Sequence, residues 1–151
     1  MKAEKRRQPR AIYLLNQVNQ IARGRLDGAL GPLKMTGLQF TILSVIGRHD
    51  GLSSAELSRR FFVTPQTMNE LIAGLEQRKL ISKSPQPTNR RILQLTLTDD
   101  GRAMVRASEA VADAIEQEIF GFLPSADYEN LHALVQQVLR NALQPVAETT
   151  P

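Results

Sequence analysis

The chain has 151 residues, of which 42% are hydrophobic and 23% are charged, and these values fit one ordinary globular protein. It contains no cysteine, which excludes disulfides, thiolate zinc sites and cysteine-based redox sensing and is compatible with a reducing, cytoplasmic setting. No apolar run approaches the roughly 20 residues that a membrane span requires, and no apolar segment follows the basic N-terminus. We therefore expect neither a membrane span nor a secretory signal.

The formal net charge of +4 is unevenly distributed along the chain. Basic residues predominate before residue 98, and acidic residues outnumber them after it. Isolated charges on solvated helix faces would not segregate in this way, whereas a protein that meets an anionic partner on one side would. The distribution therefore favours a nucleic-acid partner.

The N-terminal third is predicted to be helical. Residues 1–9 are expected to form a flexible basic arm, and residues 10–30 have the apolar spacing of an amphipathic helix. Gly31-Pro32 ends this helix. A second, more apolar helix is predicted from Met35 to His49.

The segment 53–97 is predicted to be a winged helix-turn-helix. Ser53 and Glu56 have the spacing of a capping box, so a helix should begin there. Thr64 is a good N-cap and Pro65 suits the first helical position, so a second helix should follow at once. Its apolar residues form one stripe, namely Met68, Leu71, Ile72 and Leu75.

A β-hairpin is expected after this second helix. The segments 80–83 and 92–97 read as strands, and the second of them alternates apolar and polar residues. The loop between them carries Arg90 and Arg91, so the tip of the hairpin should be basic.

The exposed start of the second helix carries side chains that can read bases in a major groove. We predict base contacts from Pro65, Gln66, Thr67 and Asn69. The alternative is that some of these side chains only hold phosphate or water. Glu70 lies on the same face. It could accept from a cytosine amino group or pair with a neighbouring arginine, and we favour the arginine.

A second set of residues suits the sugar–phosphate backbone, which fixes register without reading sequence. It consists of Ser53, Thr64, Arg59, Arg60, Lys83 and Arg90. Arg78 and Lys79 end the second helix, where part of their role is to complement the helix dipole.

Two further helices are predicted outside this segment. One follows Thr98 and runs to about Phe120, and the other is expected to be capped by Ser125. Their apolar stripes, with that of the first helix, could simply wrap the DNA-binding segment, but we favour a two-fold dimer interface. A dimer would set two recognition helices roughly 34–36 Å apart on a pseudo-palindromic site.

With this order of elements, the chain resembles the MarR family of bacterial transcription regulators. The resemblance covers roughly residues 10–142, and its most specific element is Leu-Thr-x-x-Gly after a basic wing. The residues that carry it are LQFTIL (38–43), SAELSRR (54–60), VTPQTM (63–68), LEQRKLI (75–81), NRR (89–91) and LTLTDDG (95–101).

The resemblance implies a mainly α fold with a small β-hairpin wing. It divides the chain into a dimerisation region (10–34 and 99–144), a DNA-binding region (35–98) and a tail (145–151). In the family a wing arginine reaches the minor groove, and Arg91 takes that position. The Asp that usually lies two residues earlier is replaced by Asn89.

The resemblance also implies a homodimeric repressor that a small ligand releases from double-stranded operator DNA. The expected effector is an aromatic acid or a related molecule, such as a coenzyme A thioester. Its pocket would lie where the dimer helices meet the DNA-binding region, with the candidate lining Tyr13, Asn16, Arg23, Phe40 and His49.

No catalytic constellation is present in the sequence. His49 and His132 are far apart, and neither a zinc-protease motif nor a Gly-rich phosphate loop occurs. We therefore expect no enzyme activity, no cofactor and no metal. Three alternatives stay open, namely a winged-helix module for protein–protein contact, a ligand-insensitive DNA-binding protein, and a small enzyme with an active site between helices, which would need a nucleophile or metal set that the sequence does not offer.

Overall fold

The structure, a computed structural model, describes residues 8–144. It contains α1 (Ala11–Leu30), a 3₁₀ turn (Gly31–Leu33), α2 (Gly37–Arg48), α3 (Ser54–Arg60), α4 (Pro65–Gln77), β1 (Ile81–Pro85), β2 (Leu93–Leu97), α5 (Asp99–Phe120) and α6 (Ser125–Ala142). The predicted mainly helical fold with a small hairpin is confirmed. The predicted tail and residues 1–7 of the predicted arm lie outside the described residues.

No single helix within residues 8–144 is long and apolar enough to cross a membrane. Together, α1 with its 3₁₀ turn and α2 are long and apolar enough, but they meet at an angle of 79°.

The chain forms two compact units, divided between Ile115 and Glu116. The core of the first unit is built from α1 to α4, the hairpin and the turns between them. It contains Leu30, Met35, Ile42, Leu43, Ile46, Leu52, Leu57, Met68, Ile72, Leu75, Leu80, Ile81 and Leu95.

The second helix begins two residues later than predicted. Thr36 is its N-cap, because the Thr36 Oγ1 accepts from the Gln39 N–H at 3.2 Å and the Gln39 Oε1 accepts from the Thr36 N–H at 3.0 Å. This is a capping box, and it satisfies N–H groups that an earlier start would leave without partners. Met35 is buried in the core and lies between the 3₁₀ turn and α2.

The predicted starts of α3 and α4 are confirmed. The Ser53 Oγ accepts from the Glu56 N–H at 3.2 Å, and the Glu56 Oε2 accepts from the Ser53 N–H at 2.8 Å. At α4, the Thr64 Oγ1 accepts from the Thr67 N–H at 3.1 Å, and Pro65 occupies the first helical position. Both helices of the helix-turn-helix therefore begin at residues fixed by local hydrogen bonds.

The hairpin is antiparallel, with Ile81 opposite Leu97 and Lys83 opposite Leu95. It is attached to the segment before α3, because the Leu95 N–H donates to the Leu52 carbonyl at 2.8 Å. Leu95 and Ile81 are both buried in the core of the first unit. The wing is therefore fixed at its base by burial and by a hydrogen bond to the helix-turn-helix.

The Leu-Thr-x-x-Gly element has a packing explanation. The Thr98 Oγ1 accepts from the Gly101 N–H at 3.0 Å and donates to the Lys79 carbonyl at 2.6 Å, so it caps α5 and holds the segment that follows α4. A Cβ on Gly101 would lie 1.9 Å from the Leu80 carbonyl oxygen. Only glycine permits this close approach of α5 to the chain that enters the wing.

The second unit corrects one prediction. Ser125 does not cap α6, since it is the first helical residue and Pro124 occupies the N-cap position without a side-chain hydrogen bond. The carbonyl of Pro124 makes the first helical bonds, accepting from Asp127 and Tyr128 at 3.0 Å each. Because the proline backbone is already extended, with φ −55° and ψ 148°, the helix starts one residue earlier than a serine cap would allow.

Gly101→Ala is expected to destabilise the protein by about 2 kcal/mol or more, because the added methyl group meets backbone that cannot move aside. Gly74→Ala is the matched control. Gly74 lies inside α4, and a Cβ added there would meet nothing within 4 Å, so this change should stabilise by about 0.5–1 kcal/mol. Thermal unfolding of both variants measures the difference, and equal melting temperatures would contradict the packing explanation.

Candidate nucleic-acid interface

The exposed face of α4 follows from the burial of its opposite face. Met68, Ile72 and Leu75 are each at most 1% exposed, so the helix has one orientation about its axis. All four predicted base-contacting residues then lie on the solvent side, namely Pro65, Gln66, Thr67 and Asn69. The structure therefore places these residues together on one accessible surface.

Two of these side chains contact neighbours within α4 or its cap. The Gln66 Nε2 donates to the Glu70 Oε1 at 3.4 Å, and the Thr64 Oγ1 donates to the Thr67 Oγ1 at 2.9 Å. The predicted pairing of Glu70 with an arginine is wrong, since no such ion pair occurs within residues 8–144. The physical reason is that residues four apart on a helix are neighbours, which puts Gln66 nearest to Glu70.

Asn69 has a partner outside its own helix. The Ser54 Oγ, at the first position of α3, donates to the Asn69 Oδ1 at 2.5 Å. This bond joins residues that are 15 apart in sequence, and it was not predicted. Helical spacing gives no signal for it, because it depends on the angle at which α3 and α4 pack.

The wing tip is closed by Asn89. Its Oδ1 accepts from the Arg91 N–H at 3.1 Å, and its backbone carbonyl accepts from the Ile92 N–H at 3.0 Å. An aspartate at this position would offer the same type of acceptor, so the Asn replacement keeps the turn. Arg90 and Arg91 are both exposed at this tip, as predicted.

The wing and α3 form an open groove. It is lined by Ser53, Arg59 and Arg91, together with Gln86, whose Nε2 donates to the Gly51 carbonyl at 2.7 Å. Two cations and a helix-capping serine, predicted separately as DNA contacts, are therefore brought to one groove. The nearest acid, Glu56, is held by the capping box.

The remaining predicted backbone contacts differ in their surroundings. Arg60 is exposed, whereas the Lys83 Nζ lies 3.6 Å from the Glu76 Oε2, an ion pair at the side of the wing. Thr64 and Ser53 use their hydroxyl oxygens as helix caps. Ser53 only accepts in its cap, so its O–H can still donate to a phosphate, whereas the Thr64 O–H already donates to the Thr67 Oγ1. Both hydroxyls are neutral, so the cationic residues are the stronger candidates for phosphate contact.

Arg78 has a structural role that the sequence did not reveal. Its Nη1 donates to the Lys34 carbonyl at 2.7 Å, and its Nη2 donates to the Leu33 carbonyl at 3.2 Å. The guanidinium therefore ties the end of α4 to the turn before α2. Because both acceptors are backbone groups more than 40 residues away, sequence spacing could not indicate them.

The five candidate effector residues are spread over α1 and α2. Tyr13, Asn16 and Arg23 are exposed, and the Tyr13 hydroxyl accepts from the Gln17 Nε2 at 2.9 Å. Phe40 packs against the core, and the His49 Nδ1 lies 3.1 Å from the Val45 carbonyl at the end of α2. No hydrogen bond or ion pair joins any two of the five, so the pocket stays a prediction. Likewise, no group of three or more acidic or histidine residues in 8–144 could hold a metal ion.

Comparison with known proteins identifies the family. A model described as MarR family matches residues 33–92. The HTH-type transcriptional repressor Rv2887 of Mycobacterium tuberculosis is 32% identical over 126 residues, which cover 83% of this chain and 91% of that protein.

Solved structures of the same relative support the same family. Rv2887 in complex with salicylic acid has a TM-score of 0.72 at 31% identity, covering 87% of this chain and 97% of that chain. Rv2887 in complex with DNA has a TM-score of 0.73 at 30% identity, covering 87% of this chain and 98% of that chain. With the helix-turn-helix, the wing and the capped α5 in place, the chain belongs to the MarR family of transcription regulators.

Proposed function

We propose that this chain is a homodimeric repressor that binds double-stranded operator DNA and leaves it when a small aromatic acid binds. The observation that carries the proposal is that Asn69, on the exposed face of α4, is hydrogen-bonded to Ser54, which lines the same groove as Arg59 and Arg91. Arg90 is exposed next to Arg91 at the wing tip. The relative Rv2887 has been solved with DNA, which supports this use of the surface.

The roles of individual residues follow from their surroundings. Gln66, Thr67 and Asn69 read base edges in the major groove, with Pro65 making apolar contact beside them. Arg91 enters the adjacent minor groove from the wing tip, where Asn89 holds its backbone. The main phosphate contacts come from Arg59, Arg60, Lys83 and Arg90, with Ser53 and Thr64 beside them.

The dimer interface is assigned to apolar surface that each unit leaves exposed. On α6, Leu134 is 51% exposed and Val138 is 59% exposed, values far above those of core residues. Helix α1 exposes a similar set, namely Ile12, Tyr13, Leu14, Leu15, Val18 and Ile21. Large apolar side chains exposed along a helix in this way mark an interface, and a second copy of the chain supplies a matching face by two-fold symmetry.

Ligand response requires a difference in affinity between two dimer geometries. A ligand that prefers a geometry in which the two α4 helices no longer match the DNA spacing lowers operator affinity, whereas equal affinity for both geometries changes nothing. Rv2887 has been solved with salicylic acid and with p-aminosalicylic acid, so we take an aromatic acid as the effector class. We propose neither catalysis nor a cofactor for this chain, and we place its action in the cytoplasm, where its DNA target would be.

Arg91→Ala should weaken binding to operator DNA by about tenfold or more and reduce the salt dependence of the affinity by about one counterion. Arg106→Ala is the matched control, because Arg106 is an exposed arginine on α5 that lines a cleft with Leu97 at the base of the wing, and no α4 or wing-tip residue lines that cleft. Fluorescence anisotropy at several salt concentrations, with DNA from upstream of the protein's own gene, measures both effects. Equal losses of DNA affinity in the two variants would contradict the proposed contact between Arg91 and the DNA.

Salicylate should lower the affinity of the wild-type dimer for that DNA by about 5- to 150-fold, the usual range of coupling between two sites. Salicylamide, which lacks the carboxylate, is the matched ligand control and should have a much weaker effect. The same anisotropy assay reports both. Tight DNA binding that salicylate does not change would instead favour the ligand-insensitive DNA-binding protein.

A further inference from the structure

One hydrogen bond joins α3 to the DNA-facing surface of α4. The Ser54 Oγ donates to the Asn69 Oδ1 at 2.5 Å, and Asn69 is exposed while Ser54 is half-buried. Ser54 is not needed as a cap, because Ser53 and Glu56 already complete the capping box of α3. Its hydroxyl is therefore available to act on Asn69 alone.

This bond sets the direction of the Asn69 amide. An asparagine side chain ends in one oxygen, which accepts, and one amino group, which donates twice. Since Ser54 holds the oxygen toward α3, the Nδ2 amino group points to the other side of the amide. No described residue in 8–144 accepts a hydrogen bond from this Nδ2, so its donors are available at the surface.

The direction of the Asn69 amide affects which purine base it can bind. A freely rotating asparagine binds adenine in a bidentate manner, accepting from N6 and donating to N7. Guanine presents two acceptors, O6 and N7, which suit an amino group, whereas adenine shares only the N7 acceptor and has a donor, its N6 amino group, in place of O6. An Asn69 whose oxygen is held by Ser54 is therefore better suited to guanine.

We propose that Ser54 is a positioning residue that orients Asn69 as a donor, so that Asn69 selects guanine over adenine at the base it contacts. The inference rests on the proposed function, since it needs α4 in a major groove. If the bond had a purely structural role, its loss would weaken binding to every DNA duplex equally. The two helices are already joined by buried Leu57, Met68 and Ile72, so loss of the Ser54 hydroxyl should leave the fold intact.

The test uses the full chain and a randomised DNA duplex library. Wild type, Ser54→Ala, Ser54→Thr and Asn69→Ala are each used to select preferred sites, and the affinities for guanine and adenine versions of the wild-type site are then compared. We expect wild type to prefer guanine at one base pair of each half-site by about tenfold, the lower part of the range for a good base contact. Ser54→Ala should lose most of that preference, Asn69→Ala should lose it at the same base pair, and Ser54→Thr should keep it.

Ser82→Ala is the matched control, because it removes an exposed hydroxyl that is bonded to Thr96 on the wing rather than to α4. It should keep the wild-type preference. An unchanged preference in Ser54→Ala would overturn the proposal. So would an equal loss of affinity for every duplex, since that is the mark of a structural role. If wild type selects no sequence at all, the proposed function fails first, and this inference fails with it.

Discussion

The orientation of α4 is the constraint on which the rest of the DNA-binding surface depends. Because Met68, Ile72 and Leu75 are buried on one side of the helix, Gln66 and Asn69 lie on the side that faces solvent. Polar side chains at these positions would be of little use on a helix that could rotate about its axis. Packing energy and recognition are therefore linked, since the residues that stabilise the core also determine which side chains meet a base.

The wing is held by the same core. Leu95 is buried and its N–H bonds to Leu52, while Thr98 and Gly101 bring the start of α5 against Leu80. These contacts place the cationic tip beside α3 and leave only its turn, closed by Asn89, to position Arg91. Major-groove and minor-groove contacts thus come from elements that share one packed unit, which suits simultaneous binding to one stretch of duplex.

The sequence predicted the elements whose signals are local. The capping box at Ser53, the Thr64-Pro65 start and the apolar stripe of α4 all lie within a few residues, and all are confirmed. Other local signals misled, since α2 begins at Gly37 rather than Met35 and Ser125 is the first helical residue of α6 rather than its cap. The wrong or missed side-chain contacts are of two kinds. Glu70 was assigned to an arginine although a nearer partner lies one turn away. The contacts of Arg78 and Ser54 join segments far apart in sequence, and only the packed helices bring their partners within reach.

The central claim is that two copies of this surface act together on one pseudo-palindromic site. The most direct measurement is affinity for the selected operator after base pairs are inserted between its half-sites. Because two-fold symmetry fixes the distance between the α4 helices, about five inserted base pairs should abolish dimer-dependent binding by turning one half-site to the opposite face of the duplex. About ten inserted base pairs should return both half-sites to the same face of the duplex. Their separation would then exceed the distance between the two α4 helices, so binding should stay weak. Affinity that is indifferent to spacing would mean that each copy binds alone, and it would contradict the account.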